Sequence, residues 1–210
     1  MVTNCRLGRT SPDERREHII DVASQVFQSE GYGAASMATI AARLGGSKAT
    51  LYKYFPSKEA LFAAMLAHKC ERVIAPLRVI GIEANDFESY LAAFARGFLS
   101  SLLQIDALKV FQMIQADGGR FPEISRQFMA TGPEAGYREL AKGIEKFVAR
   151  GDIVCDDPRL AAEQFLGAVR ADIHLRATIG IGAPPDEAEI ARQSAHAARI
   201  FAKGLAAAHS

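Results

Sequence analysis

An excess of charge of either sign is the first thing this sequence lacks. Lys and Arg total 25 and Asp and Glu 24, a net charge of +1 over 210 residues. Taken whole, that balance gives no hint of nucleic acid, a membrane surface or an acidic partner. Cysteine is scarce: Cys5, Cys70 and Cys155 are odd in number and show no CxxC spacing. That argues against a disulfide framework and for ordinary free thiols in a reducing cytoplasm. No apolar run approaches the ~20 residues needed to cross a bilayer, so no membrane is expected. Met1 to Ser11 carries two arginines with no apolar segment after them, and reads as an arm rather than a signal peptide. Catalytic motifs are missing too, with no HExxH, no GxSxG and no P-loop. Gly180-Ile181-Gly182 follows no strand and is no dinucleotide fingerprint. His68 and Cys70, two apart on a helix, face different ways and do not make a metal site. Neither a cofactor nor an enzymatic activity is expected. No segment alternates like a β-strand, and there is no repeat, low-complexity tract or tryptophan.

Amphipathic helices account for nearly all of what is present. Ser11-Pro12-Asp13 is a helix start, with Asp13, Glu14 and Glu17 near the positive end of the dipole. Ile19, Ala23, Val26 and Phe27 share one face until Gly31-Tyr32-Gly33 stops the helix. Ser36 opens a short helix with Met37, Ile40, Ala41 and Leu44 inward, broken by Gly45-Gly46. Ser47 caps a third, Lys48 to Tyr54, which Pro56 ends. Ser57 caps a longer fourth, with Leu61, Phe62, Met65 and Leu66 inward, which Pro76 ends or kinks. Further apolar stripes run over Phe87–Leu102, Leu108–Ile114, Ile124–Phe128, Leu140–Val148, Phe165–Ile179 and Ile190–Leu205. Gly132-Pro133 either kinks or divides the segment that Pro122 begins. The fold class is all-α, about nine helices: a three-helix N-terminal domain over 1–56 and a larger helical domain over 57–210.

The neutral total hides a local imbalance. Gly31 to Lys58 contains Arg43, Lys48, Lys53 and Lys58 and no acid, a formal charge of +4. An acid-free basic segment is what a phosphate-facing surface needs. Two short helices joined by a glycine turn and set on a longer first helix describe a helix-turn-helix. At 100° per residue, Leu51 and Phe55 fall together and face the core. The opposite side centres on Lys53, flanked by Ala49 and Thr50. Ala49 lets the backbone approach base edges or offers a methyl to thymine. Thr50 and Lys53 offer hydrogen bonds to bases or phosphates. Lys48 with Tyr52 on one flank and Tyr54 on the other suit phosphates, although either tyrosine also suits half-buried packing. Lys58 sits in the first turn of the fourth helix, where free amides favour an anion.

The string from Thr39 through Leu61 resembles the DNA-binding domain of TetR-family transcriptional regulators. The glycine turn, Ser47-Lys48, Thr50-Leu51-Tyr52, Tyr54-Phe55 and Ser57-Lys58-Glu59-Ala60-Leu61 fall in the family's order. The resemblance implies that Ser47, Lys48, Ala49, Thr50, Tyr52, Lys53 and Tyr54 belong to the DNA-reading segment and that Lys58 holds a phosphate. Gly46 stands where a valine is usual and Ala49 where a glycine is common. The remainder is similar to one C-terminal branch of the family through Arg120-Phe121-Pro122-Glu123, Asp156-Asp157-Pro158 and Gln164-Phe165-Leu166-Gly167. The resemblance implies a ligand-binding and dimerisation domain, whose last two helices form a four-helix bundle with a second subunit. Ala168, Ala171, Ala197 and Ala198 would allow close approach there.

An effector pocket is expected among the middle helices, at Phe94, Phe98, Phe111, Met113 and Phe128, with Arg170, Asp172 and His174 orienting a polar end. The aromatics equally suit a plain core, and the polar trio a solvated or subunit-facing surface. The expected function is a ligand-responsive, homodimeric DNA-binding regulator, a repressor released from a palindromic operator by a small apolar or aromatic effector. The alternative is an all-helical small-molecule carrier or enzyme with an incidental basic segment.

Overall fold

The computed structural model describes residues 11–80 and 84–206. They form ten α-helices when the break at Gly132 is counted as a boundary: α1 (Pro12–Ala34), α2 (Met37–Arg43), α3 (Lys48–Tyr54), α4 (Lys58–Arg78), α5 (Phe87–Leu102), α6 (Ile105–Asp117), α7 (Pro122–Thr131), α8 (Pro133–Ala149), α9 (Pro158–Ile179) and α10 (Glu187–Leu205). Among the described residues there is no strand, only an isolated antiparallel bridge between Ile153 and Ala206. No single helix there is long and apolar enough to cross a membrane. The expected N-terminal arm, with Cys5, lies outside the described residues apart from Ser11. The chain divides into two compact units at Met65/Leu66.

In the first unit, four serines set the helix starts. The hydroxyls of Ser11, Ser36, Ser47 and Ser57 each accept from a backbone N–H three residues on, at Glu14, Thr39, Thr50 and Ala60. Each satisfies one of the amides that a helix N-terminus leaves unpaired. Glu14 returns the favour by accepting from the Ser11 amide at 2.7 Å, completing a capping box. Gly31, with φ 78°, breaks α1 near its end. Beyond it Tyr32 joins Phe27 and Phe62 in a buried ring trio with centroids 4.7–6.0 Å apart. Ile40 of α2 and Leu51 of α3 close this core. The α2–α3 turn needs a left-handed residue, and Gly45 supplies it at φ 63°.

In the second unit, α5 runs through the middle of the core. Phe87, Leu91, Phe94, Phe98 and Leu99 of α5 pack with Leu140, Ile144 and Phe147 of α8, Phe165 and Leu166 of α9 and Ala197 and Ala198 of α10. Gly132 is non-helical (φ −100°, ψ −80°) and Pro133 opens α8, so Gly132-Pro133 divides two helices rather than kinking one. Pro76 lies inside α4, which ends two residues later at Arg78.

One break has no counterpart in the sequence pattern. Within α9, Ala171 takes φ 32° and ψ −137°, the only left-handed non-glycine residue described. The interruption frees carbonyls, and the Gln193 side-chain amide of α10 donates to two of them, Ala168 O at 3.2 Å and Val169 O at 3.3 Å. Beyond the break, Arg176 pairs with Asp172 and with Glu189 of α10. Gln112 of α6 donates to the Thr178 carbonyl.

Candidate nucleic-acid interface and effector site

The first unit presents one surface built on α3. Leu51 is 1 % exposed and Phe55 3 %, so the inner face of α3 is fixed as its spacing predicts. Lys48, Ala49, Tyr52 and Lys53 are exposed and Thr50 and Tyr54 half-buried. Ser47 and Thr50 spend their hydroxyls on each other at 3.0 Å, as part of the α3 cap. Thr50 is therefore held in place while Lys48 and Lys53 keep their ammonium groups in solvent.

The other two cations of the acid-free segment are engaged. Arg43 lies 3.4 Å from Glu30 of α1. Lys58 donates to the carbonyls of Tyr32 at 3.0 Å and Ala35 at 3.2 Å, with its ammonium 4.4 Å from the Tyr32 ring centroid. It thus ties the start of α4 to the end of α1, using two of the three donors of an ammonium. Two cations escaped the sequence pattern. Arg16 stacks over Phe55 at 5.3 Å, and Arg15 reaches the α2–α3 turn, where a methyl built on Gly46 would meet its guanidinium at 3.5 Å. Their signal was masked by neighbouring Asp13, Glu14 and Glu17, which lie on the same first turns of α1.

In the second unit the expected effector residues fall into two groups. Phe94 and Phe98 belong to the main core. Phe111 of α6, Phe128 of α7 and His174 of α9 come together, with centroids 6.1 Å apart for the phenyl pair and 5.0 Å for Phe111 and His174, edge to face. Met113 is buried and Arg170 half-buried. Asp172 is exposed and serves the Arg176 pair. His174 is buried, and its Nε2 has no hydrogen-bond partner among the described residues. Burial, helped by the Arg170 charge, pulls its pKa down to about 4, so the imidazole is neutral at pH 7. Cys70 and Gly132, not anticipated, adjoin this cluster, since a methyl on Gly132 would meet Cys70 Sγ at 3.0 Å and the Phe128 ring at 3.7 Å. Burial pushes the Cys70 thiol up to about 11, which makes it a packing residue and not a nucleophile.

Comparison with known proteins matches both parts of the chain to one family. Residues 19–65 match the model of bacterial regulatory proteins of the tetR family, and residues 89–204 that of the AefR-like transcriptional repressor C-terminal domain. The flavonoid-responsive regulator FrrA is 35% identical, over 94% of this chain and 100% of that one, and superposes with a TM-score of 0.82. The transcriptional regulator UidR of Escherichia coli K12 is 28% identical over 95% of this chain and 93% of its own length. The transcriptional activator FasR of Mycolicibacterium smegmatis is 37% identical, but over 45% of this chain and 43% of its own. All three are named as regulators. A capped helix-turn-helix with its cationic face in solvent, joined to a helical unit of this C-terminal class, places the chain in the TetR family of transcriptional regulators.

Proposed function

We propose that this regulator is a cytoplasmic homodimer that represses from a palindromic operator and is released by a small aromatic effector. Residues 1–56 read DNA, and residues 57–210 dimerise and sense. The observation that carries the reading is the α3 face. Its inner residues are buried while Lys48, Ala49, Tyr52 and Lys53 stand free together, which suits a major groove with phosphates on either side. Ser47, Thr50 and Tyr54 support that face, Lys58 sets α4 against α1, and Arg15 and Arg16 extend the basic surface. Half-sites about one helical turn apart, ~34–36 Å, match a two-fold pair of such helices.

Exposed Leu175, Ile179 and Ile200 on α9 and α10 support the dimer. Ala168 and Ala171 are exposed and available to a partner, whereas Ala197 and Ala198 are spent on the unit's own core. For the effector, Phe111 and Phe128 offer flat apolar contact beside His174, and Met113, Phe94 and Phe98 are further buried apolar candidates. His174 and Arg170 offer polarity. A hydroxylated aromatic suits the lone His174 Nε2, because a hydroxyl donates or accepts as either tautomer requires. FrrA, by its name, responds to flavonoids, which belong to that class. Its binding shifts the repressor only through different affinities for the two states.

The test is binding to the chain's own promoter region at several salt concentrations. Lys48→Ala with Tyr52→Ala should weaken binding and flatten the salt slope by about one unit per lost phosphate contact. Unchanged binding in that variant would sink the proposal. Genome-wide mapping of bound sites should return a two-fold motif. A carrier or enzyme would return none.

A further inference from the structure

A second site is lined by residues other than those of the His174 cluster. Lys69 and Arg72 on α4, Ser100 and Ser101 at the end of α5, and Asp106 in the first turn of α6 surround a cavity of about 270 Å³. We propose that this cavity binds a small organic carboxylate, whose acid group takes the Lys69 donor now held by Asp106 together with the neighbouring Arg72 guanidinium.

The argument is a surplus of donors. The Lys69 side chain is only 10 % exposed, and its ammonium donates to Asp106 Oδ2 at 2.8 Å. That is its one hydrogen-bond partner among the described residues, and an ammonium has three N–H groups to place. Arg72 lies 3.8 Å from the same oxygen, too far for a hydrogen bond, and is 65 % exposed. Lys109 adds a third positive charge acting on Asp106. Two cations therefore line the cavity against one carboxylate, which leaves a positive charge unbalanced there. The helix at the rim, α6, begins without a side-chain cap, because Gln104 turns its amide back to the Ser100 carbonyl at 2.9 Å. Such a helix start favours an anion without specifying one.

Asp106 indicates which anion. It is a carboxylate already seated against Lys69, with Arg72 beside the same oxygen, so the place already accepts a carboxylate. Its own side chain is 46 % exposed and free to swing out. Val73 supplies an apolar wall for the body of the ligand. Asp106 thus acts as an internal competitor, and an incoming acid would release α6 from its ion pair with α4.

The test titrates benzoate, neutral benzamide and inorganic phosphate into the full chain by calorimetry at constant ionic strength. No DNA is present, so its failure leaves the regulator reading standing, and the reverse holds too. Benzoate should bind saturably and benzamide about tenfold more weakly or not at all, since the charge-assisted hydrogen bonds are lost. Lys69→Met should abolish benzoate binding. Arg72→Gln, at an exposed position that threatens no packing, should weaken it. The discriminating variant is Asp106→Asn, which should tighten benzoate severalfold by removing the competitor. A merely structural ion pair predicts no gain. Equal binding of benzoate and benzamide, no gain in Asp106→Asn, undiminished binding in Arg72→Gln, or phosphate binding more tightly than benzoate would each overturn the proposal.

Discussion

Lys58 holds two backbone carbonyls and a tyrosine face with one ammonium, whereas Lys48 is exposed. The two lysines of one basic segment therefore carry different loads. Lys58→Met should lower stability by about 1–3 kcal/mol, through lost charge-assisted hydrogen bonds and cation–π contact. Lys48→Ala should stay within about 0.5 kcal/mol of the parent. Thermal denaturation of both variants, beside their operator affinities, checks this. His174 gives a pH-dependent counterpart. Its folded pKa of about 4 lies below the ordinary value of 6.5. Unfolding lets it take up a proton, so its contribution is intact above pH 6.5 and is lost progressively as pH falls toward 4. The groups near it are Phe111 on α6 and the Arg170 charge on its own helix, and Arg170 adds to the lowering. His174→Gln should flatten the acid limb of the stability curve between those pH values, as measured by urea midpoints. An unchanged limb would refute the assignment.

At the scale of the element, the break in α9 is the clearest case of packing overruling local pattern. A left-handed alanine costs about 1–3 kcal/mol and persists only where its surroundings over-determine it. Gln193, Arg176 and Gln112 supply that determination. Ala171→Gly should raise the unfolding midpoint by an equivalent of about 1 kcal/mol, since glycine adopts this backbone freely. Gln193→Ala should lower it by about as much, by leaving carbonyls without a donor. If Ala171→Gly proved destabilising, the strain would be refuted. The four serine caps were legible in the sequence because each acts on an amide three residues away. The α9 break was not, because Arg170-Ala171-Asp172 contains neither glycine nor proline and its cause lies 22 residues on, in another helix. The cation-lined cavity was hidden for the same reason, since Lys69 and Asp106 are 37 residues apart. The inner face of α3 could be read from spacing alone. Which cations of the 31–58 segment are engaged could not, because Glu30 takes Arg43 and two carbonyls take Lys58.

At the scale of the molecule, the proposed dimer rests on apolar side chains that this chain leaves uncovered. Leu175 and Ile179 stand one turn apart on α9 at 55 % and 57 % exposed, and Ile200 stands on α10 at 56 %. Leu175→Asp with Ile179→Asp should give a monomer by light scattering. Operator affinity should then fall by about two orders of magnitude or more, because the second half-site loses its effective concentration. A variant that stayed dimeric would move the interface elsewhere.

The placement of the tyrosines has a spectroscopic consequence. The chain has five tyrosines and no tryptophan. Tyr32, Tyr90 and Tyr137 are buried, and the other two, Tyr52 and Tyr54, both belong to α3. Acrylamide can therefore quench emission chiefly from the helix proposed to enter the groove. The protein carries an intrinsic optical reporter of its own DNA-reading surface, and occupancy of that surface can be followed without any label.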